Sequence, residues 1–350
     1  IFVMKLSEIK IEPLINTIQF RKIPDEVYFS DKYSNYISNS RLSLLSLHPK
    51  NPDSFFEGLK VDGGYSLSLS LGSAVHECVL QPEYFYIVDE VDKPTAKAGA
   101  MADELYHANG RAPSYQEMID AAKKIGYYAS SFNPNKADKL RSTCNEYWRK
   151  RCLYEHSDKL IKNKTPIYLD VKSRDIAYNC IKSLSNNENI QKLLKPDIDL
   201  VGNEQTILMD IKVTCPDTEP FIFHLKSKLD NYSIDTFTNE ITVNDIKTTS
   251  KYVNMFKSAI KSFKYNREIA MYSWLLGLYA SKEHNMIKPT VKGNFLVVET
   301  FGDFNSKVYP MDNNLFKTGF EEFKHLIKLV AFYCTLPEYV EFREYFRANL

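Results

Sequence analysis

Between residues 205 and 247 the chain is written largely in β-branched and aromatic residues, and a run of helix formers follows from 252 to 280. Strands are expected over 205–213, 221–234 and 241–247, with turn chemistry between them at Cys215-Pro216-Asp217, Asn231 and Asn239. An antiparallel meander that hands over to a long helix has few ways to fold, because the sheet must bury a face and the helix must pack across it. Two further strands at 293–301 and 305–311, around Gly302-Asp303, and a closing helix at 314–333 complete the pattern. The expected class is α/β (α+β), a central mixed sheet flanked by helices.

The N-terminal side reads differently. Residues 6–36 mix Lys, Glu and Tyr with Pro13 and Pro24 and show weak periodicity, so an irregular arm with a helical turn is expected over 1–37. From Ser38 capping residues precede apolar spacing, which predicts a helix to about 48, where Pro49 stops it. Over 67–80 Leu71, Val75 and Val79 share a helical face, with small Gly72 and Ala74 beside them and His76 next to that face. Helices are expected over 101–109, 115–125, 136–155 and 173–194, with a strand-like stretch at 166–171. The expected organisation is one domain over 38–350: a mainly helical insertion at 84–203, the core sheet at 204–312 and C-terminal helices at 313–350.

The 350 residues are enough for a core of their own. A net charge of +1 excludes a globally basic protein, so any nucleic-acid contact has to come from charge segregation. The six cysteines are scattered without a C-x-x-C, which argues against zinc ribbons, redox pairs and iron-sulfur clusters. No stretch of about 18 apolar residues occurs, Ile1-Phe2-Val3-Met4 is too short for a signal peptide, and Met4 is expected as the natural start. A cytoplasmic location is the expectation.

Chemistry can be sought at three Asp-x-Lys strings: Asp170/Lys172, Asp210/Lys212 and Asp245/Lys247. Alone, each matches an ordinary surface ion pair. Pro196-Asp197 lies 13 residues before Asp210, and Asp230 lies 15 before Asp245. The third string is favoured because a helix carrying Tyr265, Arg267, Glu268 and Tyr272 follows it, whereas Pro216 and another strand follow Lys212. Alternate strand residues share a face, so Asp245 and Lys247 project together and Asp230 can join them from the next strand. Two carboxylates can hold a hard cation such as Mg²⁺, or Mn²⁺ in its place, and activate water on a phosphodiester. Lys247 would orient that water or offset developing charge. Lys257, Lys261 and Lys264, at helical spacing, form a stripe that could bind DNA phosphates or face solvent.

Four segments resemble motifs of the RecE-like (exonuclease VIII-type) branch of the PD-(D/E)XK nucleases. Gly72-Ser73-Ala74-Val75-His76, continuing to Leu80 and Pro82, is similar to G-(ST)-A-x-H-x-x-x-L-x-P; Lys226-Ser227-Lys228-Leu229-Asp230 to K-x-R-x-D; and Asp245-Ile246-Lys247-Thr248-Thr249 to D-(ILV)-K-T-T. Tyr265, Glu268, Ala270 and Tyr272 follow Y-x-x-Q-x-A-x-Y, with Glu268 where the family has Gln.

The resemblance implies a PD-(D/E)XK core and a phage or mobile-element origin, with the host cytoplasm as location. His76, Asp230, Asp245 and the Ile246 carbonyl would be metal ligands, Lys247 the catalytic lysine, Glu204 the acid facing the metal or its water, and Tyr265 and Glu268, with Arg267 beside them, site-lining groups. Asp210 is the substitute should Glu204 fail. The implied activity is Mg²⁺-dependent exonuclease action on linear double-stranded DNA that leaves 3′ tails for recombination. A single-strand annealing protein and a ring-shaped homo-oligomer are the implied partners, without a membrane. A non-catalytic DNA-end-binding protein on the same fold and an endonuclease of the same superfamily are the alternatives.

Overall fold

The computed structural model describes residues 5–47, 49, 51–60, 71–128 and 130–346. The chain divides into two compact units, one of residues 1–65, 188–297 and 307–350, the other of 66–187 and 298–306. The second unit's bounds thus differ from the expected 84–203 insertion.

In chain order the first unit begins with β1 (Lys10–Arg21), α1 (Asp25–Tyr28), α2 (Asn39–Leu47) and α3 (Asp53–Lys60). The second unit contributes α4 (Leu71–Leu80), β2 (Phe85–Ile87), α5 (Ala96–Glu104), α6 (Tyr115–Ile125), α7 (Pro134–Glu155), β3 (Thr165–Ile167) and α8 (Val171–Asn186). The chain then returns through α9 (Glu188–Leu194), β4 (Leu200–Thr214), β5 (Phe221–Asp235), β6 (Glu240–Thr249), α10 (Phe256–Ser262), α11 (Tyr265–Glu283), β7 (Thr290–Glu299), β8 (Ser306–Pro310), α12 (Asn313–Cys334) and α13 (Val340–Phe346).

The fold is mixed α/β, with a six-stranded mixed sheet of order β1-β4-β5-β6-β7-β8 flanked by helices. β1, β4, β5 and β6 pair antiparallel in succession. The expected arm is corrected here: it carries the 12-residue strand β1, which runs against β4 from Lys10↔Thr214 to Arg21↔Thr206, with a register shift between Leu14 and Gln19. Pro13 is tolerated because β1 is an edge strand.

The predicted helix over 252–280 is split. Lys264 adopts φ +60° between α10 and α11, so the second helix starts afresh at Tyr265. The helix expected over 67–80 is seen from Leu71; residues 67–70, like Met4 and His48, lie outside the described residues.

Ile207, Met209 and Ile211 of β4, Phe221, Phe223 and Leu225 of β5, Leu275 of α11 and Phe323 and Ile327 of α12 are among the buried residues of the first unit's core. Burying one such side chain contributes about 1.5–3 kcal/mol. α12 approaches α11 closely at Gly319, where an added Cβ would lie 2.4 Å from the Asn266 carbonyl oxygen.

The second unit has its own core around Val88, Met101, Met118, Ala122 and Tyr147. Ser114 and Glu117 form a capping box that starts α6, and Gly126 ends it in the left-handed conformation. Its interior charges are balanced: Asp103 pairs with Lys93 and Arg151, and Arg151 also with Glu155. Among the described residues no helix is long and apolar enough to cross a membrane.

Candidate active site

Alternation along β5 puts Lys226, Lys228 and Asp230 on one face, and along β6 it does the same for Asp245 and Lys247. The register joins the two sets. Partners run from Asp235↔Glu240 to Asn231↔Asn244, and Asp230 and Asp245 are the next residues of each strand. On β4, Asn203 pairs with Asn231 and Gln205 with Leu229, so Glu204 comes abreast of Asp230. Their nearest carboxylate oxygens are within 4.8 Å. Glu204 holds φ +54° in mid-strand, a left-handed conformation that costs a non-glycine residue free energy and is found disproportionately at functional sites.

Lys247 is the hub. Its Nζ donates to Asp245 Oδ1 at 3.0 Å and to Glu268 Oε2 at 3.2 Å, and it sits 4.8 Å from the centre of the Tyr265 ring. The Tyr272 hydroxyl donates to Glu268 Oε1 at 3.2 Å. Asp230 Oδ2 accepts the Ile246 N–H at 2.8 Å, so a side chain takes a backbone donor within the sheet. Glu204 Oε2 is 2.7 Å from Lys228 Nζ, which also pairs with Asp25 of α1.

Burial, followed by the Glu204 charge, pushes Asp230 up to about 7. Burial also pushes Asp245 up to about 8, with Asp230 and Glu268 adding to the rise and Lys247 opposing it. Burial works against the charge on Lys247, yet Asp245, Glu268 and Asp230 together raise its pKa well above the ordinary range. The excess of carboxylate over ammonium in the enclosed site adds to the rise that burial imposes on the aspartates and alone accounts for the rise at Lys247.

Asp245 is only 2% exposed, and its Oδ2 lies 2.8 Å from Lys247 Nζ, so the one lysine meets both carboxylate oxygens. An all-oxygen donor set with excess negative charge suits a hard divalent cation. Glu204 and Asp230, whose oxygens approach within 4.8 Å, therefore fit such an ion, with Asp245 beside Asp230 on the next strand.

Other expected residues stand elsewhere. Ile246 is buried beside Asp230. His76 lies on α4 of the second unit and is partly buried. Arg267 was expected to line the site and does not: it is fully buried and donates to Asn39 Oδ1, Ser43 Oγ and Glu322 Oε1. Tyr265, Glu268 and Tyr272 share a helical face, and Arg267 is about 200° round the helix from Tyr265.

The basic stripe is broken as well. Lys257 and Lys261 are exposed on α10, whereas Lys264 sits at the break before α11 and pairs with Glu322 at 3.3 Å. Of the rejected strings, Asp170 caps α8 by accepting from Ser173 N and Oγ. Asp210 pairs with His224 Nδ1 at 2.7 Å, on the same face as Glu204 but roughly 20 Å further along β4.

Sequence reasoning missed Lys228 and Asp25 as site residues. Lys228 was readable, since it alternates with Asp230 in Lys-x-Lys-Leu-Asp. Asp25 carried no local signal, because its partner lies about 200 residues on.

Among solved structures the chain is similar to a crystal structure from Eubacterium rectale provisionally described as an exonuclease, at 11% identity and TM-score 0.40 over 88% of this chain and 86% of that one. No family model matches the chain, and no curated protein matches it.

Proposed function

We propose that the protein is a metal-dependent deoxyribonuclease of the PD-(D/E)XK type, acting as a Mg²⁺-dependent exonuclease on linear double-stranded DNA. The observation that carries this reading is the enclosed Asp230–Asp245–Lys247–Glu268 cluster over one face of the sheet, rich in carboxylate. The RecE-like motifs at 226–230, 245–249 and 265–272 fall on these same residues, which supports the narrower assignment.

Asp230 and Asp245 would hold the ion, with Glu204 beside Asp230 and the Ile246 carbonyl as a further donor. When bound, a divalent cation supplies Lewis-acid polarisation of a phosphodiester oxygen and acidification of water. Lys247, kept protonated by its acidic neighbours, presents N–H groups to the water or to developing phosphate charge. Glu268 and the Tyr265 ring hold the Lys247 ammonium in place, and Tyr272 in turn holds Glu268. His76 is retained as a proposed ligand on the resemblance of its motif alone. A 3′-tailed product, a single-strand annealing partner and a ring-shaped oligomer belong to the same proposal.

The test incubates labelled linear and closed-circular duplexes with Mg²⁺. Degradation of the linear form alone, lost in Asp245→Ala, is the expected result. Cutting of circles would make the protein an endonuclease, and binding of ends with no Mg²⁺-dependent cleavage would make it a non-catalytic end-binding protein.

A further inference from the structure

Behind the carboxylates, on the opposite face of the same strands, runs a line of asparagines, buried except for the half-buried Asn203 at its end. Asn294 Nδ2 on β7 donates to Asn244 Oδ1 on β6 at 2.9 Å, Asn244 Nδ2 to Asn231 Oδ1 on β5 at 2.7 Å, and Asn231 Nδ2 to Asn203 Oδ1 on β4 at 2.7 Å. Asn244 and Asn231 spend their second amide hydrogens on the Leu193 and Leu194 carbonyl oxygens at the end of α9, at 3.1 and 3.2 Å. A carbonyl oxygen can only accept, so the nitrogens must face α9 and the donor direction along the ladder is fixed. Asn231 and Asn244 are 0% exposed and Asn294 is 7% exposed.

Three of the four asparagines are the immediate chain neighbours of the three acids: Asn203 of Glu204, Asn231 of Asp230 and Asn244 of Asp245. Successive strand residues point to opposite faces, so a constraint on each asparagine is a constraint on the acid behind it. A one-residue slip of any strand would turn its acid to the wrong face. The same slip would bury unpaired amides, which makes it costly.

Stability alone does not call for this device, because apolar side chains of similar shape in place of a buried polar pair are often as stable or more so. What a fully bonded amide ladder adds is register.

We propose that Asn203, Asn231, Asn244 and Asn294 are positioning residues, a registering ladder that holds Glu204, Asp230 and Asp245 abreast so that their carboxylates converge on one cation. The cation clause rests on the nuclease reading, whereas the placement of the carboxylates does not.

The experiment uses the full chain with three variants: Asn244→Ala, the apolar double variant Asn231→Leu/Asn244→Leu, and Val213→Ala as a control that weakens buried β4 away from the acids. Two quantities are read, hydrogen exchange at the Ile246 amide, which reports the Asp230 carboxylate in metal-free protein, and the Kd for Mn²⁺ from calorimetry. In both asparagine variants the Ile246 amide is expected to exchange at least about 10-fold faster and Mn²⁺ to bind at least about 10-fold more weakly. The double leucine variant should do so even though it also loses Tm through the amides and carbonyls it leaves unpaired, and Val213→Ala should leave both quantities within about 2-fold at a comparable loss of Tm. Wild-type exchange and Mn²⁺ affinity in a folded asparagine variant, or equal changes in Val213→Ala, would overturn the proposal. A wild-type chain that takes no Mn²⁺ defeats the nuclease reading, and Ile246 exchange then decides the ladder alone.

Discussion

The tripeptide Asp-Ile-Lys occurs twice in the sheet, at 210–212 on β4 and at 245–247 on β6, and the two copies meet opposite surroundings. Asp210 has His224 2.7 Å away, and the two side chains are 25% and 29% exposed. Asp245 is 2% exposed, shares its lysine with Glu268, and has Asp230 as a neighbour across the strand pair. Identical strand chemistry thus gives a locally matched pair in one place and an enclosed excess of negative charge in the other. What separates them is the next strand and the helix behind it: β5 offers His224 to one aspartate and a second carboxylate to the other.

The largest expected contrast is catalytic. Asp245→Ala should lower Mg²⁺-dependent cleavage of linear duplex on the order of 10³-fold, a few kcal/mol of lost transition-state stabilisation. Asp210→Ala should stay within about 2-fold. Equal losses in a fluorescence assay of strand release would break the comparison.

Next come the lysines. Lys247→Ala is expected to reduce kcat roughly 10²-fold, the range for loss of one positioned donor, whereas Lys212→Ala leaves steady-state kinetics unchanged.

A smaller effect concerns pH. The folded-state pKa values of Asp230 and Asp245 are raised, to about 7 and about 8, so their contribution to stability is complete below the ordinary aspartate value near 4 and is lost as pH climbs through the folded values. Metal-free wild type should therefore lose Tm between pH 5 and pH 8 relative to Asp245→Asn, and millimolar Mn²⁺ at pH 8 should restore it. Asp210→Asn provides the control: a wild-type pH profile in Asp245→Asn would mean that the two aspartates are not so different.

The smallest effect is His224→Ala, expected to cost about 1 kcal/mol in urea unfolding with cleavage unchanged.

Much of the core was legible because its signals are local. β5, expected over 221–234, spans Phe221–Asp235, and α6 matches its expected bounds because Ser114, Glu117 and Gly126 mark both ends. β1 was missed because its evidence is not local: Pro13 and a weak alternation describe an edge strand poorly, and the partner that makes it a strand is β4. The break at Lys264 was hidden because a left-handed lysine has no composition signature, unlike glycine.

At the site, Asp230, Asp245 and Lys247 could be read from the two-residue period of strands, and Glu268 with Tyr265 from the helix that follows. Arg267 shows the reverse, since helical angles alone would have turned it away from Tyr265 and Glu268. The Lys228–Asp25 pair and the asparagine ladder depend on which strands become neighbours, and single residues do not announce that.

The pairing of β1 with β4 has a temporal side. Residues 10–21 leave the ribosome about 190 residues ahead of the strand that completes them. At ordinary synthesis rates of about 5–20 residues per second, that is a wait of roughly 10–40 s. Throughout this interval the segment must stay soluble without its hydrogen-bonding partner, and its charged Lys10, Glu12 and Arg21 and its Pro13 are what a nascent chain needs to survive that wait without pairing with a neighbour.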